Sequence, residues 1–333
     1  MSLPPAIRAQ ERLPPALFLM GPTASGKTEL ALRLVEALPV AIISVDSVQV
    51  YRGLDIGSAK PSADILARVP HRLIDIRDPS EPYSAAEFAA DARTAMDEIQ
   101  AVGQIPLLVG GTGLYFRALV QGLAPLPTAD PALRAQLLAD GQAQGWPALH
   151  QRLANLDPVA AARIHPNDPQ RIQRALEVCL LTGRPLSAQQ REAAPEPLPY
   201  QILRLARAPR DRELLRRRIA ERFEQMLVQG LEAEVRQLLA RTDLHPGLPS
   251  LRSLGYRQMI GYLDGIWTWA QMREQGILAT RQFAKRQLTW LRAEPQVHWL
   301  FDEEADPVGR AMALVDHWLA RTEPSGAARA EAH

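Results

Sequence analysis

The sequence predicts an α/β protein: a parallel sheet flanked by helices and interrupted by an all-helical insertion. Three observations predict it. Short apolar runs alternate with helical periodicity through the first 124 residues, as in a parallel sheet whose faces are covered. The first of these runs, Ala16–Met20, feeds a glycine-rich turn and then a helical pattern. From Pro125 the texture becomes rich in Pro, Ala, Gln and Arg with little strand signal, until an apolar run returns at Tyr200–Ala206.

Taken in order, the strands are expected at Ala16–Met20, Ala41–Val45, Leu73–Ile76, Ile105–Val109, Tyr200–Ala206 and Val297–Phe301. Helices are expected at Gly26–Leu38 and Ala85–Ala101, the latter opened by Ser84 with Glu87 three residues on, a capping-box signature. Within the insertion, Leu133–Gly145, Trp146–Asn155 and Pro169–Thr182 have helical spacing, punctuated by Gly183-Arg184-Pro185 and by the Pro195–Pro199 stretch. Further helices are expected over 211–242, 253–264, 268–292 and 307–321. The chain therefore divides into a core of residues 1–124 and 199–322, an insertion of 125–198 and a disordered tail of 323–333.

Composition narrows the class. With 333 residues, 47% hydrophobic and 23% charged, the chain can bury a sizeable core. No apolar run approaches the ~20 residues of a membrane span, and the first residues lack the apolar segment of a secretory signal, so the cytoplasm is the expected compartment. Cys179 is the only cysteine, which excludes an intrachain disulfide or a cysteine-built zinc site. A net charge of +1 decides nothing about nucleic acid, but lysine occurs only at Lys27, Lys60 and Lys285 among 38 basic residues. A chain that otherwise uses arginine keeps lysine where a compact point charge is wanted, as between phosphate oxygens.

Lys27 is in such a place. Gly21, Pro22, Thr23, Ala24, Ser25, Gly26, Lys27 and Thr28 satisfy every fixed position of G-x-x-x-x-G-K-[ST], between an apolar strand and a helix. Glycines let successive backbone N–H groups converge on phosphate oxygens at a helix N-terminus. Lys27 neutralises the terminal phosphate, and the Thr28 hydroxyl is placed to ligate Mg²⁺. The core is thus expected to be P-loop NTPase-like. The motif holds a diphosphate without saying whose. An ATPase also needs a strand-end acid for metal and water, and the Ile105–Val109 run ends in glycines. Asp46, 18 residues past Thr28, stands at a strand end that can face the acceptor of a transferred group.

Six segments then occur in order: GPTASGKT, ISVDSVQVYRGLDIGSAKP (43–61), HRLIDIRDP (71–79), PLLVGGTGLYFRAL (106–119), HPNDPQRIQRALEV (165–178) and LRSLGYRQM (251–259). Together they closely resemble the tRNA dimethylallyltransferase (isopentenyltransferase) family, from about Leu17 to Leu300, in the form without a C-terminal zinc finger. The resemblance implies transfer of a dimethylallyl group from dimethylallyl diphosphate to the exocyclic amine of the adenosine 3′ of the anticodon, in tRNAs reading codons that begin with U. It implies Mg²⁺ as cofactor, the tRNA anticodon stem-loop as partner, and a monomer with no membrane association. The P-loop would then grip a leaving diphosphate.

On that reading Asp46 is the general base or the group that orients the adenine amine, with Ser47, Val48 and Gln49 lining the base pocket. Thr23 reaches the bridging oxygen of the leaving diphosphate, although Thr23 or Ser25 as a plain turn residue is the competing reading. Thr112 matches a tRNA-contacting position or is simply a helix N-cap. On the helix from Asp211, a 100° wheel aligns Leu215, Ile219, Phe223 and Met226, with Arg222 about 20° from Leu215. An arginine bordering a buried stripe needs an anion, so Arg222 matches the family's diphosphate arginine better than Arg218. RNA contacts are expected from Arg134, from Gln170, Arg171, Ile172, Gln173 and Arg174, and from Arg252, Ser253, Leu254, Gly255, Tyr256 and Arg257. Lys285 and Arg292, with Arg281, recur near helical spacing, which suits a sugar-phosphate backbone. Two other readings stay open: a small-molecule kinase using ATP in the same loop, and a non-catalytic RNA-binding protein.

Overall fold

The computed structural model describes residues 13–192 and 197–322. The elements run β1 (Pro15–Met20), α1 (Lys27–Ala37), β2 (Val40–Val45), α2 (Ala63–Arg68), β3 (His71–Arg72), α3 (Ala85–Ala101), β4 (Ile105–Gly110) and α4 (Gly113–Gln121). Then come α5 (Pro131–Gln144), α6 (Trp146–Leu156), α7 (Pro158–Ala161), α8 (Pro169–Thr182) and α9 (Leu186–Glu192). The chain continues through β5 (Gln201–Ala208), α10 (Arg212–Gln229), α11 (Leu231–Leu239), α12 (Tyr256–Leu263), α13 (Trp269–Ala293), β6 (Val297–Phe301) and α14 (Pro307–Thr322). It divides into two compact units: one comprises the chain up to Leu119 and again from Pro199, the other Val120–Leu198. The expected disordered tail, 323–333, lies outside the described residues.

In the larger unit the six strands of the described residues are all parallel, in the order β3-β2-β4-β1-β5-β6. Leu17, Leu19, Ile42, Leu107 and Leu205 are fully buried and pack with Leu30 and Leu34 of α1 and Val315 of α14. The inner strands β1, β2 and β4 are covered on both faces and read as nearly continuous apolar runs, whereas β5 carries Arg204 and Arg207 at half-buried positions. A second core, including Tyr51, Leu54, Phe223, Val235, Tyr256 and Met272, joins the segment after β2 to α10, α11, α12 and α13. The α3 capping box forms as expected: Ser84 Oγ accepts the Glu87 N–H at 3.1 Å, and Glu87 accepts the Ser84 N–H at 2.8 Å.

Two expectations fail for backbone reasons. The third strand is His71–Arg72 and not Leu73–Ile76, because Leu73 and Asp75 take φ of 65° and 56°, which no extended ladder accepts. The helix expected over 211–242 is two, broken at Gly230 with φ of 103°.

The smaller unit is helical, around Leu137, Leu149, Leu153, Ile172 and Leu176. Its polar centre is Glu177, fully buried. Burial alone would raise its pKa, yet bonds from Arg134, Arg174 and the Asp130 amide hold it below the usual carboxylate range.

At the C-terminal edge of the sheet the strands approach very closely. A Cβ on Gly110 would lie 2.1 Å from the Val45 carbonyl oxygen, backbone of the neighbouring strand that cannot yield. Gly110→Ala is therefore expected to destabilise the protein by about 3 kcal/mol, read as a lowered urea midpoint; an unchanged midpoint would refute the contact.

Candidate functional site

Three loops leave neighbouring strands at the C-terminal edge, where open α/β sheets carry their ligands. From β1 comes Gly21–Gly26, from β2 Asp46, and from β4 Gly111-Thr112. The register pairs Met20 and Val45 with Gly110, which makes these loops immediate neighbours. In the first loop Ala24 and Gly26 take φ of 61° and 77°, the left-handed turns that aim successive amides inward. Gly26 caps α1 with no side-chain acceptor, leaving the helix N-terminus open to an anion.

Lys27 Nζ donates to the Pro22 carbonyl at 2.7 Å. Burial, reinforced by the charge of Arg222 and partly offset by Asp46, lowers its pKa from 10.5 to about 7. Burial likewise lowers the pKa of Arg222, with Asp46 opposing. Arg222 makes no hydrogen bond or ion pair among the described residues, whereas Arg218 pairs with Asp302. Of the two arginines, Arg222 is thus the one left without a protein anion. Asp46 Oδ1 accepts the Val48 and Gln49 amides at 2.8 and 3.2 Å, an Asx-type turn that anchors one oxygen and leaves Oδ2 unbonded among the described residues.

Two cavities meet at these groups. The smaller, about 110 Å³, is lined by Lys27, Thr28, Asp46, Gln49, Gly111, Arg222 and Gln287, with Thr23 and Phe283. The larger, about 380 Å³, is lined by Asp46, Ser47, Val48, Thr112, Arg252, Ser253, Leu254 and Gly255, with Tyr51, Tyr83, Tyr115 and Phe223. Thr23, Asp46, Ser58, Arg222 and Phe283 belong to both. The arrangement is that of a phosphate-sized chamber opening into a larger aromatic-walled one, with a carboxylate and a guanidinium at the junction. The Thr28 hydroxyl lies in the smaller chamber and makes no hydrogen bond among the described residues. No group of three or more potential metal-binding His, Cys, Asp or Glu side chains occurs among the described residues. A hard cation could be met here by the Thr28 hydroxyl together with a ligand's own phosphate oxygens.

A family profile described as "IPP transferase" matches residues 49–294. The curated tRNA dimethylallyltransferase of Thioalkalivibrio sulfidiphilus is 61% identical over 317 residues, 95% of this chain and 99% of that protein. The chain belongs to the IPP transferase family. Among solved structures, the tRNA isopentenylpyrophosphate transferase of Bacillus halodurans is similar at 37% identity and a TM-score of 0.68, covering 92% of this chain and 97% of that one. The Staphylococcus epidermidis tRNA delta(2)-isopentenylpyrophosphate transferase matches at 32% and 0.66, over 93% and 100% of the two chains. A eukaryotic dimethylallyltransferase acting on tRNA shares the fold, with a TM-score of 0.74 at 24% identity, over 95% and 82%.

Several of the residues expected in this transferase's RNA surface sit elsewhere. Ile172 is wholly buried in the helical core, so only Gln170 and Arg171 of that stretch are exposed. Arg134 and Arg174 are spent on Glu177, and Gln173 donates to the Arg134 carbonyl. Tyr256 is buried with its hydroxyl donating to Glu234, while Arg257 is exposed. Gln49 faces the smaller chamber, not the base pocket, and its amide is engaged by Ser44, Ser58 and Ala59. Lys285 and Arg292 are exposed on α13 beside a separate groove rimmed by Arg212, Arg216 and Arg281. Sequence reading missed the tyrosine wall and Gln287. The signal for Gln287 was a polar residue on the buried stripe of α13, between Ala284 and Leu291.

The state of Lys27 has a measurable consequence. In the unfolded chain its proton stays on to about 10.5, so the unliganded protein gains stability as pH rises from about 7 through that window. An anion beside the amine reverses the shift. Binding of inorganic diphosphate at about pH 8 is expected to take up close to one proton, seen by calorimetry in buffers of different ionisation enthalpy and absent in Lys27→Met; no uptake by the native protein would refute a neutral Lys27.

Proposed function

We propose that the chain transfers a dimethylallyl group from dimethylallyl diphosphate to the exocyclic N6 amine of the adenosine 3′-adjacent to the anticodon, in tRNAs reading codons that begin with U. The products are N6-(dimethylallyl)adenosine and diphosphate. The observation that carries this reading is the junction of the two chambers at Asp46, Thr23 and Arg222. A hydrolase needs only a phosphate site with water beside it; this site offers a second, aromatic chamber large enough for an acceptor base, with Asp46 between the two.

In this reading the diphosphate occupies the Gly21–Thr28 loop. As the allylic C–O bond breaks, carbon becomes positive and the bridging oxygen takes the bonding electrons. Lys27, Arg222 and the loop amides stabilise that negative charge without reorganising, and the Thr23 hydroxyl is directed at the bridging oxygen. Mg²⁺, held by Thr28 and phosphate oxygens, would add positive charge to the leaving group. The N6 lone pair forms the new C–N bond, and the nitrogen loses its proton to Asp46 Oδ2. The adenine reaches Asp46 by leaving its stack, at lower cost from a single-stranded anticodon loop. Tyr51, Tyr83 and Tyr115 supply apolar faces to receive it. Arg252 and Ser253 border the entrance, and Lys285 and Arg292 serve the phosphate backbone.

The decisive assay incubates the protein with labelled dimethylallyl diphosphate, Mg²⁺ and an anticodon stem-loop bearing three consecutive adenosines. Label enters the RNA; phosphate transfer from ATP to a metabolite with no label in RNA would overturn the reading. Asp46→Asn keeps an oxygen for the Val48 and Gln49 amides but lacks the base, so kcat should fall ~10²–10⁴-fold while stem-loop affinity barely moves. An equal loss in both would reduce Asp46 to a positioning group. Replacing Lys285 and Arg292 together by alanine should weaken binding and flatten the salt slope by about two; an unaltered slope removes them from the interface.

A further inference from the structure

Gln287 lies on α13, 7% exposed, between two of the loops that build the site. Its Oε1 accepts the Thr23 N–H at 2.9 Å, and its Nε2 donates to the Gly111 carbonyl at 2.9 Å. These partners are 264 and 176 residues away in the chain. A buried amide destabilises a helix face unless both ends are bonded, and here both are. The fit is close, since a Cβ on Gly111 would meet Nε2 at 2.2 Å.

We propose that Gln287 is a positioning residue that holds Thr23 in the geometry for breaking the donor's C–O bond. This rests on the dimethylallyl-transfer reading of the site. By accepting the Thr23 N–H, Gln287 fixes the plane of the Pro22–Thr23 peptide and hence the direction of the Thr23 side chain, which lines both chambers. Through its bond to Gly111 it sets the distance from the phosphate loop to the turn that carries Thr112 on the acceptor side. The diphosphate's charge is met by Lys27, Arg222 and the later loop amides. Donor affinity is accordingly independent of Gln287, and the chemical step depends on it.

The test is a double-mutant cycle of Thr23→Ala and Gln287→Met in the full-length protein. Methionine keeps the volume and lacks both hydrogen-bonding groups. Single-turnover transfer is measured at saturating dimethylallyl diphosphate and stem-loop RNA, with donor affinity by calorimetry and folding by thermal melting. Gln287→Met should slow transfer ~10- to 100-fold and leave donor affinity within about threefold. In the Thr23→Ala background it should cost less than about threefold, because residues that act through one another are not additive. Additive losses, or a loss of donor affinity that matches the loss of rate, would overturn the proposal. If the methionine variant melts early, Gln287→Leu, which likewise lacks both hydrogen-bonding groups, goes through the same cycle with the same criteria. A native protein that binds diphosphate yet transfers nothing to RNA overturns the underlying reading of the site instead, and with it the role of Gln287.

Discussion

The site depends on how closely the sheet's C-terminal edge lets its backbones approach. A Cβ on Gly110 would overlap Val45, one on Gly111 would come within 2.8 Å of the Gly21 carbonyl, and one on Gly21 would come within 2.4 Å of the Arg207 carbonyl. Four strand ends are thus packed backbone to backbone, at distances only glycine allows. That compression brings Lys27, Asp46 and Thr112 into one small volume although 85 residues separate the first from the last. Helices α10 and α13 then close the volume with Arg222, Phe283 and Gln287.

Electrostatically the junction is incomplete as it stands. Lys27 and Arg222 are both held below their usual pKa, first of all by burial, and each sees Asp46 as its favourable charge. Two basic groups sharing one carboxylate in a poorly solvated chamber have their charged forms stabilised by a bound anion far more than surface groups would. Beside the site, two other charged groups are directly paired. Lys60, whose side chain is 4% exposed, lies between Asp55 and Asp75 and donates to the Tyr51 carbonyl. Glu234 accepts the amides of Asp55, Ile56 and Gly57 together with the Tyr256 hydroxyl. These tethers hold the segment from Asp46 to Asp75 against the second core, and with it the Gly57–Ser58 wall of the larger chamber. The three lysines accordingly divide their work: one at the phosphate loop, one structural, one on the exposed face of α13.

Much of the architecture is legible in sequence because it is local. The phosphate loop, the Ser84–Glu87 capping box and the helix Pro169–Thr182 are each set by contiguous residues whose spacing is itself the signal. The errors differ in cause, one tertiary and one local. Positive φ at Asp75 goes with tertiary bonds, its N–H donating to the Gln49 carbonyl and its carboxylate engaging Lys60. Gly230 reads as a tolerated interior glycine until its left-handed turn is seen to separate two helices.

The sequence by itself determined the parallel sheet, the G-x-x-x-x-G-K-[ST] loop with its Lys27 and Thr28, and the candidacy of Asp46 and Arg222, since motif spacing and helical periodicity are properties of neighbouring residues. Only the tertiary structure decided which arginine is left without an anion, that Ile172 and Tyr256 belong to cores, and that Gln287 ties Thr23 to Gly111. Each of those facts depends on side chains brought together from distant parts of the chain, where ion pairing, burial and close packing, not sequence spacing, decide what a residue is free to do.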